Sequence, residues 1–490
     1  MNGRTSPRPS PDRAVLMILT GLLLARLLAA AVLPLTPDEA YYRTWAQSLQ
    51  GGYQDHPFMV ALWIRAGSLL CGDTALGVRL GGPLSAFAGT LLVMAAVRRF
   101  FPGTGQEERS IRAAALLNGT LALGLGSTLM TPDTPLLFFV TLFALACAHI
   151  ATTERSRWWL LAGLAAGAGF DSKYTMLLPV AGLGLWALIT RTGRKHLCTV
   201  WPWAGLGLAA LLTAPVLLWN AGHGWVSFLK QGGRAGDWHP ARAGQFLSEL
   251  AGGQIGLATP LIFVFFVAGL VAMIRTRTDV SRLLLCVTLL PLLVFVQHAL
   301  GDRVQANWPV LLYPFLAIAA VRAGLSWWRT AALSGFALGV LVLLQAATGM
   351  LPLNRHFDIT LRQGGGWAGL ASDLNRLVPD PEAVIVADEY GLASELAFRL
   401  PGRHIAGIDP RWEYLQFPAF ICRPATPVYL LRSTRRRDAP EVSPARVVTE
   451  PQEITRARGG REAEKYRLYR LICPAAEQRI PQGVILPPGY

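Results

Sequence analysis

Charge is scarce in this chain. Only 15% of its 490 residues are Asp, Glu, Lys or Arg, where an ordinary soluble domain carries about 25%. With 52% hydrophobic residues and a mean hydropathy of +0.38, that shortage excludes a conventional water-soluble fold and indicates a polytopic membrane protein. Acids are scarcer than bases, 30 against 45, so the formal net charge is +15. Many of the bases fall in short loops between apolar segments, where orientation in a membrane explains them. Nucleic acid is therefore not an expected partner. Cysteine is also rare, and the six present show no metal-ligand spacing. Cys147 and Cys286 fall in apolar segments and read as packing residues. Cys422 and Cys473 lie in a polar C-terminal region and can pair if that region is outside the cytoplasm. No internal repeat is evident, and ionisable residues deep within the spans are missing. Both absences argue against a transporter or flippase.

What is present is a long series of apolar runs. Candidate spans are 14–34, 75–97, 112–129, 135–151, 158–170, 175–190, 201–219, 255–275, 281–299, 306–322 and 329–351, each near the length a bilayer or a packed bundle needs. Arg4, Arg8 and Arg13 before the first run resemble a signal peptide, but its length and the interruption by Arg26 favour a retained helix. The pair around Phe170–Tyr174 reads either as two short helices or as one broken one. Eleven spans place the chain ends on opposite sides. With the N-terminus cytoplasmic, one set of loops holds Arg98, Arg99, Arg109, Arg112, Arg155, Arg157, Arg191, Arg194 and Lys195. Arg275, Arg277, Arg282, Arg322 and Arg329 continue that set. The opposite loops are longer in total yet hold only Arg43, Arg65, Lys173, Lys230, Arg234, Arg242 and Arg303, a positive-inside pattern.

On that topology the distinctive polar clusters all face away from the cytoplasm: Asp38-Glu39, Asp55-His56, Asp133, Asp171/Lys173/Tyr174, Asp237/His239 and Asp302/Arg303. A shared external cavity explains the concentration. Residues 35–73 form the first external loop, expected to carry two amphipathic helices on the membrane surface, with Pro37 and Pro57 placed to start them. The Gly-rich loop 220–253 is a candidate lid. From about residue 353 the composition changes. Ala383–Ala387, His404–Ile408, Val428–Leu431 and Tyr466–Ile472 read as strands and Glu389–Leu400 as a helix. A transmembrane domain over 1–352 followed by an extracytoplasmic α/β domain over 353–490 is the expected organisation. Arg432–Arg437 reads as a solvated loop.

Carboxylates, a Lys-Tyr pair and an arginine facing an outer cavity suit group transfer from a lipid-borne donor. A polyprenyl-phosphate sugar keeps its tail in the bilayer and its phosphate at the interface. Lys173, with Arg303 as a second cation, fits the leaving phosphate. Asp38 or Glu39 fits the base that takes the acceptor proton. Direct attack at the anomeric carbon would invert its configuration.

The motifs Thr36-Pro-Asp-Glu-Ala-Tyr-Tyr42 and Gly52-Tyr-Gln-Asp-His-Pro57 resemble the first external loop of bacterial glycosyltransferase family 39-type proteins. These are relatives of protein O-mannosyltransferases and of the lipid A aminoarabinose transferase, all of the GT-C fold. Thr131–Pro135, Asp171–Thr175, Trp219-Asn220 with His223–Trp225, Asn307–Pro309 with Tyr313-Pro314, and Ser394–Phe398 with Leu400–Gly402 continue the resemblance in order. It implies an inverting hexosyl or pentosyl transferase of the inner membrane. The donor would be a polyprenyl-phosphate (undecaprenyl-phosphate) sugar and the acceptor an envelope glycolipid, lipid A, polysaccharide or protein.

By the same resemblance Asp38 is the general base, Glu39 positions acceptor or base, and Asp55 is the second acid of the loop. Lys173 and Tyr174 hold the donor phosphate. His56 stands where the aminoarabinose transferase has a lysine. Tyr41, Tyr42, His56, Asp133, Asn307 and Trp308 complete the candidate substrate contacts. Plainer readings stand beside these: interfacial aromatics for Tyr41 and Tyr42, a helix N-cap for Asp133, and a snorkelling end residue for Lys173. Arg26 and Arg79 fit a structural pairing with Asp38 better than a phosphate site. His223 and His239 fit loop packing. A divalent metal on Glu39, Asp55 and His56 is possible chemistry, although no spacing demands one. The competing functions are a ligase or polymerase using diphosphate-linked donors and a transporter.

Overall fold

Proline, glycine and small polar residues decide where the apolar runs become helices and where they break. The computed structural model describes residues 11–233, 238–440 and 442–489; Arg4, Arg8, Arg234 and Asp237 lie outside them. Two units divide the described chain. One comprises residues 1–30, 81–214 and 232–339, the other 31–80, 215–231 and 340–490. The first external loop thus packs with the C-terminal region rather than with the run of spans that follows it in sequence.

Among the described residues, six helices are long and apolar enough to cross a membrane by length and composition, or eight if two bent pairs each count once. The expected span 112–129 is not one helix. Gln106–Asn118 ends where Asn118 donates to Thr90 Oγ1 at 2.9 Å, and Thr120 caps a new short helix, Leu121–Gly124. The expected span 255–275 is likewise two helices, Ala243–Ala258 and Pro260–Thr276, meeting at 106°. Pro260 lacks an N–H and Thr259 takes φ 69°, so the backbone ladder cannot continue. The 158–190 region resolves as two helices, Trp158–Phe170 and Leu177–Ile189, with a 3₁₀ turn between them. Trp158–Phe170 approaches Trp201–Gly222 closely at Gly163, where an added Cβ would lie 2.1 Å from the Gly205 carbonyl oxygen. Small residues at such crossings let apolar helices pack by contact alone.

In the second unit the first loop makes the helix Pro37–Gln47. Thr36 and Glu39 form a reciprocal capping box, with Pro37 at the first position, so its start is written in the sequence. It is not a surface helix. Every residue from Glu39 to Ala46 is buried, and it packs against the helix Tyr390–Arg399. The next helix, Met59–Cys71, starts two residues after Pro57, which instead pairs with Gly52 in an isolated bridge. This helix does keep an exposed apolar edge of Leu62, Leu69 and Leu70.

Eight strands among the described residues form one sheet: β1 (Val384–Ala387), β2 (His404–Ile408), β3 (Ala419–Cys422), β4 (Val428–Ser433), β5 (Arg446–Val447), β6 (Gln452–Arg458), β7 (Arg461–Ile472) and β8 (Gln478–Ile485). Their order is β3-β8-β2-β1-β4-β7-β5, with β6 on β7. β1 runs parallel to β2 and β4, and the other pairs are antiparallel. All four residues of β1 are buried, as a parallel strand covered on both faces requires. Arg432 and Ser433 belong to β4 and are buried, so that part of Arg432–Arg437 is strand and not solvated loop. A guanidinium survives there because Asp388 and Asp438 pair with it.

Cys422 and Cys473 form a disulfide, 51 residues apart in sequence. Closing a loop of that length restricts the unfolded chain, so Cys422→Ser/Cys473→Ser should cost the sheet about 2–4 kcal/mol. Calorimetric melting of the purified protein with and without the pair measures this directly.

Candidate active site

Two charged clusters stand out, one in each unit. In the second unit the helix start carries Asp38 and Glu39 and the loop beyond that helix carries Asp55, and the fates of these three acids differ. Glu39 has no exposed surface. It accepts from Arg79 Nε and Nη2 at 2.6 Å each and from the Thr36 amide at 3.0 Å. Arg79 also donates to the Leu33 and Pro34 carbonyls. Arg79 therefore pairs with Glu39 and not with Asp38, and this buried pair anchors the helix start. Arg26, the other arginine weighed for that role, belongs to the helical unit, where it is buried with Nε and Nη2 lacking hydrogen-bond partners.

Asp55 is also saturated. Its Oδ1 meets Lys230 Nζ at 2.5 Å. Its Oδ2 accepts from the Tyr41 hydroxyl at 3.0 Å and Arg411 Nε at 3.3 Å. Burial pushes this carboxyl up, but Lys230, Arg411 and the neighbouring His56 outweigh it and hold Asp55 below the usual carboxylate range. Asp55 is thus a fixed negative charge. Tyr41 is buried among Trp45, Tyr390 and Trp412 and so is not an interfacial aromatic. Tyr42 packs edge-on against Trp45, with His56 further along its ring.

Asp38 differs from both. It makes no ion pair among the described residues, and its Oδ1 accepts one hydrogen bond, from the Tyr390 hydroxyl at 3.0 Å. Burial raises its pKa, the Tyr390 bond opposes the rise, and the charges of Asp55 and Glu39 add to it. Arg411 lies over the Tyr390 ring at 4.3 Å and so braces the tyrosine that holds the acid.

Removing the Tyr390 hydroxyl takes away an interaction that favours ionised Asp38. Tyr390→Phe should therefore raise the pKa of Asp38 and move the acid limb of the pH–rate profile to higher pH. A profile of kcat against pH for both proteins checks the sign, which a merely structural role for Tyr390 would not produce.

Tyr390, Arg411 and Lys230 had no assigned role in the sequence reading. A signal for the first two did exist. Asp388-Glu389-Tyr390 follows β1 and Asp409-Pro410-Arg411 follows β2, and the C-terminal ends of parallel strands are where α/β folds place their sites.

The helical unit holds the other cluster. Asp133 begins the helix Asp133–Thr152 but does not cap it. Its Oδ1 meets Lys173 Nζ at 2.7 Å and its Oδ2 accepts from Asn307 Nδ2 at 2.7 Å. Three residues 40 and 174 positions apart are thus brought together, with Lys173 almost wholly buried. Tyr174 follows Lys173 and packs near Phe170, and Trp308 lies against His298. Arg303 does not join Lys173. It is exposed and pairs with Glu249 at 2.9 Å. His223 stacks on Trp219, as loop packing requires. Among the described residues no three His, Cys, Asp or Glu side chains gather as a metal ion needs, and the oxygens of Glu39 and Asp55 are committed to cations.

The fold is that of a known class. The crystal structure of ArnT from Cupriavidus metallidurans bound to undecaprenyl phosphate superposes with a TM-score of 0.64 at 14% identity, covering 94% of this chain and 98% of that one. The apo form of ArnT gives 0.63 at 15% identity. Residues 55–219 match the family model described as dolichyl-phosphate-mannose-protein mannosyltransferase. A lipid A galacturonosyltransferase, RgtD of Rhizobium johnstonii (strain DSM 114642 / LMG 32736 / 3841), is 30% identical over 361 residues, 72% of this chain and 73% of RgtD. The chain belongs to the GT-C membrane glycosyltransferases. It is a multi-pass membrane protein with an ArnT-like fold and a C-terminal sheet region.

Proposed function

We propose that this glycosyltransferase moves a sugar from a polyprenyl-phosphate donor to a glycolipid acceptor of the lipid A type, with inversion at the anomeric carbon. The observation that carries the reading is the contrast among the three first-loop acids. Glu39 and Asp55 are neutralised by cations, whereas Asp38 is left with one neutral hydrogen bond and a raised pKa. A carboxylate in that state is the better proton acceptor. Asp38 takes the proton of an acceptor hydroxyl as its oxygen bonds to the anomeric carbon. The bond from that carbon to the phosphate oxygen breaks, and polyprenyl phosphate leaves. Lys173, held by Asp133 and Asn307, supplies the cation for the phosphate, with Tyr174 beside it. The donor class is supported by the likeness to a protein crystallised with undecaprenyl phosphate, and the acceptor class by the similarity to a lipid A galacturonosyltransferase.

The charge bias of the loops supports placement in the inner membrane with a cytoplasmic N-terminus. The Cys422–Cys473 disulfide supports a periplasmic C-terminal region. The eleven-span count and the division at residue 352 belong to this same proposal. The test is transfer by the purified protein from a synthetic polyprenyl-phosphate sugar to lipid A, with the product's anomeric configuration read by NMR. Retention of configuration, or transfer only from a diphosphate-linked donor, would sink the mechanism.

A further inference from the structure

The cleft beside Asp38 is larger than proton transfer requires. It encloses about 910 Å³, enough for a whole small ligand. Pro37 and Asp38 line it together with the loops after β1, β2 and β4. These are the C-terminal ends of the three mutually parallel strands. Six arginines line the cleft against five carboxylates, and their arrangement decides the sign of its surface.

Glu464 is deeply buried and takes Arg355 at 2.6 Å and Arg435 at 2.8 Å, with the Ser433 hydroxyl at 2.7 Å. Asp388 takes Arg432 at 3.0 Å and Arg436 at 3.1 Å. Glu464 faces two guanidiniums, so that cluster carries a surplus positive charge, whereas Arg432 and Arg436 are balanced by Asp388 together with Asp438. Glu464 and Asp388 lie deeper than the cations they hold: the Arg435 side chain is 63% exposed and that of Arg436 39%, with Asp438 at the outer edge beside Arg436. A buried acid that fixes arginines by one edge leaves their other N–H donors pre-oriented, which suits a phosphate or carboxylate.

We propose that this cleft binds the acceptor headgroup through an anionic substituent on its sugar, a phosphate or a carboxylate, with Arg435 and Arg436 as the recognising side chains. The bound headgroup then presents a hydroxyl to Asp38. The inference rests on the reading of Asp38 as the base, but binding can be tested without transfer.

The probes are glucosamine disaccharide 1,4′-bisphosphate, the same disaccharide without phosphate, and inorganic phosphate, each titrated calorimetrically into the full-length protein in detergent. Tight, salt-sensitive binding of the bisphosphate is expected. It should weaken roughly ten- to a hundredfold in Arg435→Gln/Arg436→Gln and recover in part in Arg435→Lys/Arg436→Lys. A melting curve close to wild type confirms the variants are folded, as exposed positions allow. In the transfer assay the Gln pair should raise KM for the acceptor with kcat unchanged. Equal binding of the phosphate-free disaccharide, or unchanged affinity in the folded Gln pair, would overturn the proposal. Displacement by an equal concentration of inorganic phosphate would also overturn it, because the site would then take a free anion. Binding as expected with no transfer from any donor would support the anion site and count only against the reading of Asp38.

Discussion

Asp38→Asn should abolish nearly all transfer, lowering kcat by about a hundred- to ten-thousandfold, with the protein still folded. The amide keeps the size of the acid and can still accept the Tyr390 hydroxyl hydrogen bond at Asp38, so the local structure has no reason to change. What it loses is the lone pair basic enough to hold the acceptor proton. KM for the donor should stay within about twofold, since a missing base removes an interaction made only as the bond forms. Single-turnover transfer with the melting temperature measured alongside separates chemistry from stability. The same substitution at Asp55 should behave differently. Asp55→Asn leaves Lys230 without its counter-charge and Arg411 with Asp409 alone, so part of its effect should appear in the melting curve. An Asp38→Asn enzyme with wild-type kcat would exclude this residue as the base.

Arg79→Met, just beyond the first loop, should be strongly destabilising, at about 3–5 kcal/mol. It takes the guanidinium away from the fully buried carboxylate of Glu39, and it frees the carbonyls of Leu33 and Pro34 from that donor. Glu39→Gln should cost less than Arg79→Met, because the amide oxygen can still complete the capping box with the Thr36 amide. The double substitution should recover part of the loss, since removing both charges of a buried pair avoids the uncompensated one. Thermal unfolding in detergent gives all three values. Full stability in Arg79→Met would mean that Glu39 is neutral or that water reaches it.

Some of this architecture was legible before any coordinates. Thr36, Pro37 and Glu39 specify a helix start by local chemistry alone, and that helix begins where they place it. The apolar runs at 133–152, 279–299 and 328–348 needed only their own length and composition to become long helices. Val384–Ala387 became a buried strand for a similar reason, a short β-branched run flanked by polar turns. Where local signals competed, the reading failed. Thr120 and Pro260 break the helix within apolar runs that hydropathy treats as continuous. Arg432–Ser433 looks solvated, yet pairing with β7 and the charge of Asp388 carry it into the sheet.

The sequence by itself determined the class of protein, its lipid-facing composition, and the residue types gathered at its polar stretches, because these follow from solvation and local spacing. Which acid stays without an ion pair among the described residues was decided only by tertiary structure. Asp38, Glu39 and Asp55 are near neighbours in the chain and chemically alike. Arg79 quenches one and Lys230 with Arg411 another, while Tyr390 leaves the third able to take a proton. Those partners lie between 40 and 356 residues away from their acids. A pKa depends on which charges are near in space, and no local pattern records that distance.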